Sequence, residues 1–278
     1  VVSSVQSPPQ SPPPPKGNRV RAVIRVLGEL MITAGLVLLL FVFYVVYVTD
    51  LFTARDQASA TGRMHDRWQA QQLHPIAEPP PPAHGAGFAQ LYLPEFGPDF
   101  DFTVLEGTDL KTLARGPGHY TGTAWPGEQG NFAVAGHRIG RGAPFNDLDK
   151  LPSCAPIVVE TATHWYVYRV LPMGDEVAGW NGHGGDPRCR GVAPIPAPYD
   201  QVVGRHIVKP AQGEVIHPVP GLDPAAFPRE QLTRLITLTT CNPEFSARER
   251  MIIHGVLTKQ YPKVAEHPDL RPPELEER

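Results

Sequence analysis

The sequence predicts an all-β domain, a barrel or a sandwich, preceded by one membrane-spanning helix. Three observations carry this reading. From Phe88 onward, short runs rich in β-branched and aromatic residues alternate with Gly, Pro and Asp turns. Met31 to Val48, "MITAGLVLLLFVFYVVYV", is uncharged and mostly apolar over about 18 residues, enough to cross a hydrocarbon core. The 33 prolines are clustered, with Pro8 to Pro15 and Pro79 to Pro82 marking stretches that do not pack into a core.

Taken in order, residues 1–25 form a Pro-rich tail, 26–49 the membrane anchor, 50–86 an extracytoplasmic linker, 87–262 the folded domain and 263–278 a C-terminal tail. The first residue is Val1 rather than Met, so the sequence is read as lacking its true N-terminus or as unusually initiated. The anchor is longer than a signal-peptide core, and no A-x-A-like cleavage site follows it. Lys16, Arg19, Arg21 and Arg25 precede the apolar run, while Asp50 and Asp56 follow it. That asymmetry places the N-terminus in the cytoplasm and the domain outside, in a single pass. Within the linker, "ARDQASATGRMHDRWQAQQL" reads as a polar helix and "EPPPPAHGAG" as a polyproline spacer that holds the domain off the lipid.

In the domain the strand candidates are "FAQLYL", "FTVLEG", "NFAVAGHR", "PIVVETA", "HWYVYRVL", "EVIHPV", "RLITLTTC" and "RMIIHGVL". "DLKTLARG" is the one helical candidate, with Asp109 as its cap. The Gly/Pro-rich stretch from Met173 to Gly204 breaks the rhythm and reads as a long surface insertion. The net charge of −3 gives no reason to expect a nucleic-acid partner. His119, His206, His217 and His254 match no common ligand spacing, so neither a metal nor a cofactor is expected.

Alternation in "RLITLTTC" puts Ile236 and Leu238 on one face and Thr237, Thr239 and Cys241 on the other. If "RMIIHGVL" returns beside it, an arginine comes back near the thiol. Arg250 and Arg248 share the same parity, so alternation does not choose between them. A guanidinium favours thiolate over thiol and can stabilise an oxyanion. Of three cysteines, Cys154 and Cys189 either form a disulfide in an oxidising compartment or stay free. Paired, they pin the insertion to the loop before "PIVVETA". A nucleophilic Cys241 has to stay unpaired.

"TLTTCNPEFSARERMIIHGVL" resembles the sortase signature TLxTC followed by an arginine on the next strand. "GPGHYTGTAWPGEQGNFAVAGHRIGRGAPFNDLDKL" is similar to the sortase histidine region, and "TTC-x-P", "AGHR" and "GAPF" look most like class E sortases of Gram-positive actinobacteria. The resemblance covers roughly Phe88 to Gln260 and does not extend to the 173–204 stretch. It implies an eight-stranded β-barrel with short helices and a catalytic set of Cys241 (nucleophile), His137 and Arg250. It also implies a membrane-anchored cysteine transpeptidase. Such an enzyme cleaves an LPxTG- or LAxTG-like sorting signal of secreted proteins between Thr and Gly and transfers the acyl group to a peptidoglycan-precursor amine. Tyr120, in "GHYTG", either lines the substrate groove or packs as an ordinary aromatic. The competing readings are another cell-wall cysteine enzyme, which would carry "SHGC"-like surroundings, and a non-catalytic wall-associated scaffold or binding module, in which Cys241 would be oxidised.

Overall fold

The computed structural model describes residues 19–44, 49–73, 80–263 and 270–277. The expected tail up to residue 18, the end of the apolar run at 45–48, the start of the polyproline stretch and residues 264–269 lie outside the described residues. The chain divides into two compact units, Val1–Val45 and Val46–Arg278. In the first, helix α1 (Arg19–Phe43) has a mean hydropathy of 2.5 over its most apolar window and no buried residue. Its length and composition suffice to cross a membrane.

The second unit is built on β1 (Gly87–Tyr92), β2 (Asp101–Glu106), β3 (Gly118–His119), β4 (Gly130–Ala135), β5 (Pro156–Glu160), β6 (His164–Val170), β7 (Arg205–Val208), β8 (Arg234–Asn242) and β9 (Glu249–Pro262). The order is β6-β5-β1-β2-β3-β4-β8-β9, and β9 pairs back onto β6 to close an eight-stranded barrel. The long β9 serves two partners along one edge: Gly255–Pro262 meet β6, and Arg250–Ile253 meet β7. Period-2 alternation fixes what points inward. Phe132, Val134, Ile236, Leu238, Met251 and Ile253 enter the main core. Residues of the opposite parity, Ala133, Thr237, Thr239, Cys241 and Arg250, therefore face outward.

Seven of the eight strand candidates coincide with strands, "NFAVAGHR" with its first five residues. "EVIHPV" instead begins with a 3₁₀ turn at Gly213–Ile216, closed by the His217 backbone N–H donating to the Glu214 carbonyl at 3.1 Å. Pro218 and Pro220 lack the N–H groups that a ladder needs. The helix expected at "DLKTLARG" is one turn, α3 (Leu110–Leu113), with Asp109 accepting from the N–H groups of Lys111 and Thr112.

The linker expectation meets a different structure. Helix α2 (Thr49–Leu73) packs on the barrel through Thr53, Gln57, Ala60 and Met64, one helical face at i, i+4, i+7 and i+11. Because that face is made of small and polar residues, it shows no apolar stripe. Gln57 supplies its specificity. Its Nε2 donates to the carbonyls of Thr103 and Arg115, and its Oε1 accepts from Thr103 N–H at 2.8 Å. At the other end, a 3₁₀ turn at Pro273–Glu276 also docks. Glu274 is buried beneath Lys259 and Tyr261, and Glu277 pairs both carboxylate oxygens with the buried Arg169.

The 173–204 stretch carries no strand and is well anchored. Cys154 and Cys189 are bonded to each other and pack with Val192 and Trp180. Tyr199 and Val202 cover the outer face of the barrel at Leu171 and Leu235.

Candidate active site

Cys241 stands near the end of β8, and Arg250 is its direct antiparallel partner at the start of β9. Opposed residues in such a pair project to the same face, so thiol and guanidinium share the outer surface. With Cys154 and Cys189 joined, Cys241 is the free thiol, and it is half-buried. Arg250 is also half-buried, its Nη1 donating to the carbonyls of Ala247 at 3.0 Å and Glu249 at 2.9 Å. Arg248 lies outside the paired register, exposed, with its Nε 3.4 Å from Ser246 Oγ. The ambiguity left by parity is thus resolved geometrically in favour of Arg250 as the thiol's neighbour.

His137 reaches the same region by a different route. β4 and β8 run parallel, with Ala135 opposite Thr239. Just past β4, Gly136 N–H donates to the Thr239 carbonyl at 3.0 Å, and Thr240 Oγ1 donates to the Gly136 carbonyl at 2.9 Å. The residue before His137 is therefore stitched to the two residues before Cys241. Position 136 has to be glycine here, because a Cβ would come within 2.5 Å of the Phe145 ring. Burial, and then the charge of Arg141, push the His137 imidazole below its ordinary pKa. The neutral form, which can accept a proton, is favoured.

Tyr120, just after β3, has its hydroxyl 3.0 Å from Thr239 Oγ1. That places it two residues from Cys241 along the outward face. Two neighbouring residues went unassigned in the sequence although the motifs contain them. Arg138, in "AGHR", is only 7 % exposed and donates to Asn242 Oδ1 at 2.8 Å. Asn242, in "TTCNP", follows the cysteine. Their signal was adjacency to the catalytic candidates; their contact depends on the fold.

Of the other histidines, His254 is buried on the outer face of β9 with Nδ1 at 2.9 Å from Thr237 Oγ1, and burial, then His206, lowers its pKa to about 3. His119 is buried against Glu106 at 2.6 Å. Despite the desolvation that opposes it, hydrogen bonds from His119 and Thr121 hold the Glu106 carboxyl below its usual range. Among the described residues no group of three or more His, Cys, Asp or Glu is placed to hold a metal ion. A cleft of about 770 Å³ between α2, Pro80–Pro82, Phe88 and Trp125 includes none of Cys241, His137 and Arg250.

A family model of the sortase domain matches residues 91–258. The chain belongs to the sortase family. Sortases are cysteine transpeptidases, and the placement of a free thiol opposite an arginine is in keeping with that chemistry. This sortase is 32% identical over 252 residues to sortase SrtE1 of Streptomyces coelicolor, a match that takes in 88% of this chain and 60% of the relative, so the chain spans less than two thirds of SrtE1's length. It is 30% identical over 253 residues to sortase SrtE2 of the same organism, across 87% of this chain and 85% of the relative. Among solved structures, the SrtF sortase from Corynebacterium diphtheriae is 42% identical, with a TM-score of 0.61, covering 72% of this chain and 97% of that one. The eight-stranded barrel expected from the resemblance is the fold observed.

Proposed function

We propose that this chain is a membrane-anchored transpeptidase that cleaves an LPxTG- or LAxTG-like signal between Thr and Gly and transfers the acyl part to a cell-wall amine. The observation that carries the reading is the register of β8 and β9, which sets Cys241 directly opposite Arg250. Family membership supports the reaction type.

In this scheme neutral His137 takes the proton of the Cys241 thiol. The thiolate attacks the threonine carbonyl carbon, a C–S bond forms, and the oxyanion is met by the guanidinium of Arg250. As the C–N bond to glycine breaks, imidazolium returns the proton to the departing amine. A thioester remains. An incoming amine attacks it, gives its proton to His137, and leaves an amide with the sulfur restored. Arginine suits the clamp because it stays charged throughout and presents a planar fork. Tyr120 serves as a groove residue beside Thr239. Because the His137 pKa is lowered, the acid limb of the rate profile is expected below the ordinary histidine value of about 6.5, with activity falling as pH drops through it.

The N-terminal apolar helix serves as the anchor, with the basic residues before it retained in the cytoplasm and the barrel outside. The deciding experiment is mass spectrometry of the protein after incubation with LAxTG and LPxTG peptides. The expected product is a thioester adduct on Cys241, absent from Cys241→Ala. Peptide turnover without any such adduct, or retained turnover in Cys241→Ala, would reject the covalent mechanism.

A further inference from the structure

Each residue assigned to the chemistry has a chain neighbour in one hydrogen-bonded series. Arg138 follows His137, Asn242 follows Cys241, and Glu249 precedes Arg250. Arg138 donates through Nη1 to Asn242 Oδ1 at 2.8 Å and through Nη2 to Asp149 Oδ1 at 3.0 Å. Asn242 in turn donates through Nδ2 to Glu249 Oε2 at 3.0 Å, and Lys209 Nζ donates to Glu249 Oε1 at 2.9 Å. Asn242 fits the middle of this series in one orientation only, oxygen toward the guanidinium and amide toward the carboxylate. The series spans the loop after β4, the turn at Leu148–Lys150, the end of β8, the start of β9 and the residue after β7.

We propose that Arg138 and Asn242 are positioning residues that hold His137, Cys241 and Arg250 in reacting register. The inference rests on the catalytic assignment of those three. Backbone pairing already fixes Cys241 against Arg250. His137 has no such ladder, because β4 ends at Ala135. Beyond the Gly136 contacts, the Arg138–Asn242 bond links the histidine loop to the cysteine strand through side chains, and Arg138 Nη2 also lies 3.8 Å from Glu244 Oε1 in the turn that follows. The guanidinium is held there at a cost: its Nε–H is buried without an acceptor among the described residues. A residue selected for stability alone would not need that arrangement.

The test uses the full chain in detergent micelles and five variants: Arg138→Gln, Arg138→Lys, Asn242→Leu, the Arg138→Gln/Asn242→Leu double variant, and Met64→Ala. The last weakens the α2 face without touching the series. Three quantities are read: kcat and KM on an internally quenched LAxTG peptide, the melting temperature, and the rate of Cys241 alkylation by iodoacetamide from about pH 5 to about pH 9. A misplacement on the order of 1 Å costs roughly a hundredfold in rate. Arg138→Gln and Asn242→Leu are each expected to lower kcat by about that factor while KM changes less than about twofold. The double variant should be no worse than either single, because both break one link. Arg138→Lys should recover part of the loss, since one donor can still reach Asn242. The alkylation midpoint should shift in the series variants and stay put in Met64→Ala, which should also keep its turnover below its melting transition. Multiplying losses in the double variant, or a Met64→Ala variant that reproduces the kcat loss, would overturn the positioning role. If the unaltered chain forms no adduct with the peptide, it is the catalytic assignment that fails. The alkylation profiles then judge positioning alone, and identical midpoints in all variants would overturn it.

Discussion

Arg250→Ala and Arg248→Ala separate the proposed catalytic contact from a surface charge two residues away. Arg250 opposes Cys241 in the β8–β9 register, while Arg248 is exposed and precedes the paired region. A positioned donor at a developing oxyanion is worth about 2.7–4 kcal/mol, or roughly a hundred- to thousandfold in rate. The stability side is smaller. Arg250 makes two hydrogen bonds to backbone carbonyls, each worth about 0.5–1.5 kcal/mol net when buried. The side chain is partly exposed, so the loss on truncation should be nearer 1 kcal/mol in total, or about 2–4 °C in melting temperature for a domain of this size. Arg248→Ala should stay within about 0.5 kcal/mol in either measure. Arg250→Lys should rescue little, because a point charge does not reproduce the fork. Peptide cleavage rates paired with thermal melts by circular dichroism give both numbers. The reasoning fails if Arg248→Ala is the severe variant with its fold intact, or if Arg250→Ala loses activity only as far as it unfolds.

Three further outcomes are expected. Residues 49–278 should melt well above residues 87–278, since Met64→Ala alone should cost about 2–5 kcal/mol at a fully buried site; equal melting temperatures would show that α2 contributes nothing. Reducing the Cys154–Cys189 bond, which closes a separation of 35 residues, should cost about 3–4 kcal/mol by loop entropy while leaving Cys241 reactive, as urea titrations with and without dithiothreitol would show. Buried His254 has a folded pKa of about 3 against an unfolded value near 6.5, so the unfolded chain takes up the proton first. Its contribution is complete above about pH 6.5 and is lost as pH falls toward about 3, by at most about 5 kcal/mol; urea stability across that range should decline, and His254→Gln should flatten the decline.

The legible parts of this protein are those governed by local alternation. "RLITLTTC" and "RMIIHGVL" displayed both the inward face and the antiparallel return, so Cys241 and an arginine partner followed from the sequence. β7 did not, because three of its four residues are exposed and its partner, β9, lies more than 40 positions further on. β3 is two residues long and is defined by its neighbours. α2 was visible as a helix, but its docking was hidden, since a face of Thr, Gln, Ala and Met is recognised through Gln57's hydrogen bonds more than through hydrophobicity. His137 was placed by motif, because its approach depends on parallel pairing between strands about 100 residues apart in sequence. The contact between Arg138 and Asn242 needs that same pairing.

The outward column of β8 explains why the proposed nucleophile stands at its end. Thr237, at 0% exposure, donates to Asn131 Oδ1 at 2.7 Å and lies 2.9 Å from His254 Nδ1, so its hydroxyl is occupied. Two residues on, Thr239 is 4% exposed and meets the Tyr120 hydroxyl. A further two residues on, Cys241 is half-buried, carries no disulfide and faces Arg250. Polar groups that are sealed must be paired, or they cost stability; a nucleophile must be reachable and uncommitted. One strand meets both demands because its cover, which includes Tyr199, Val202 and Val219, packs over Leu235 and leaves the thiol partly open. The sealed half of β8 fixes the register, and that register delivers the open half to Arg250 and to the loop that carries His137.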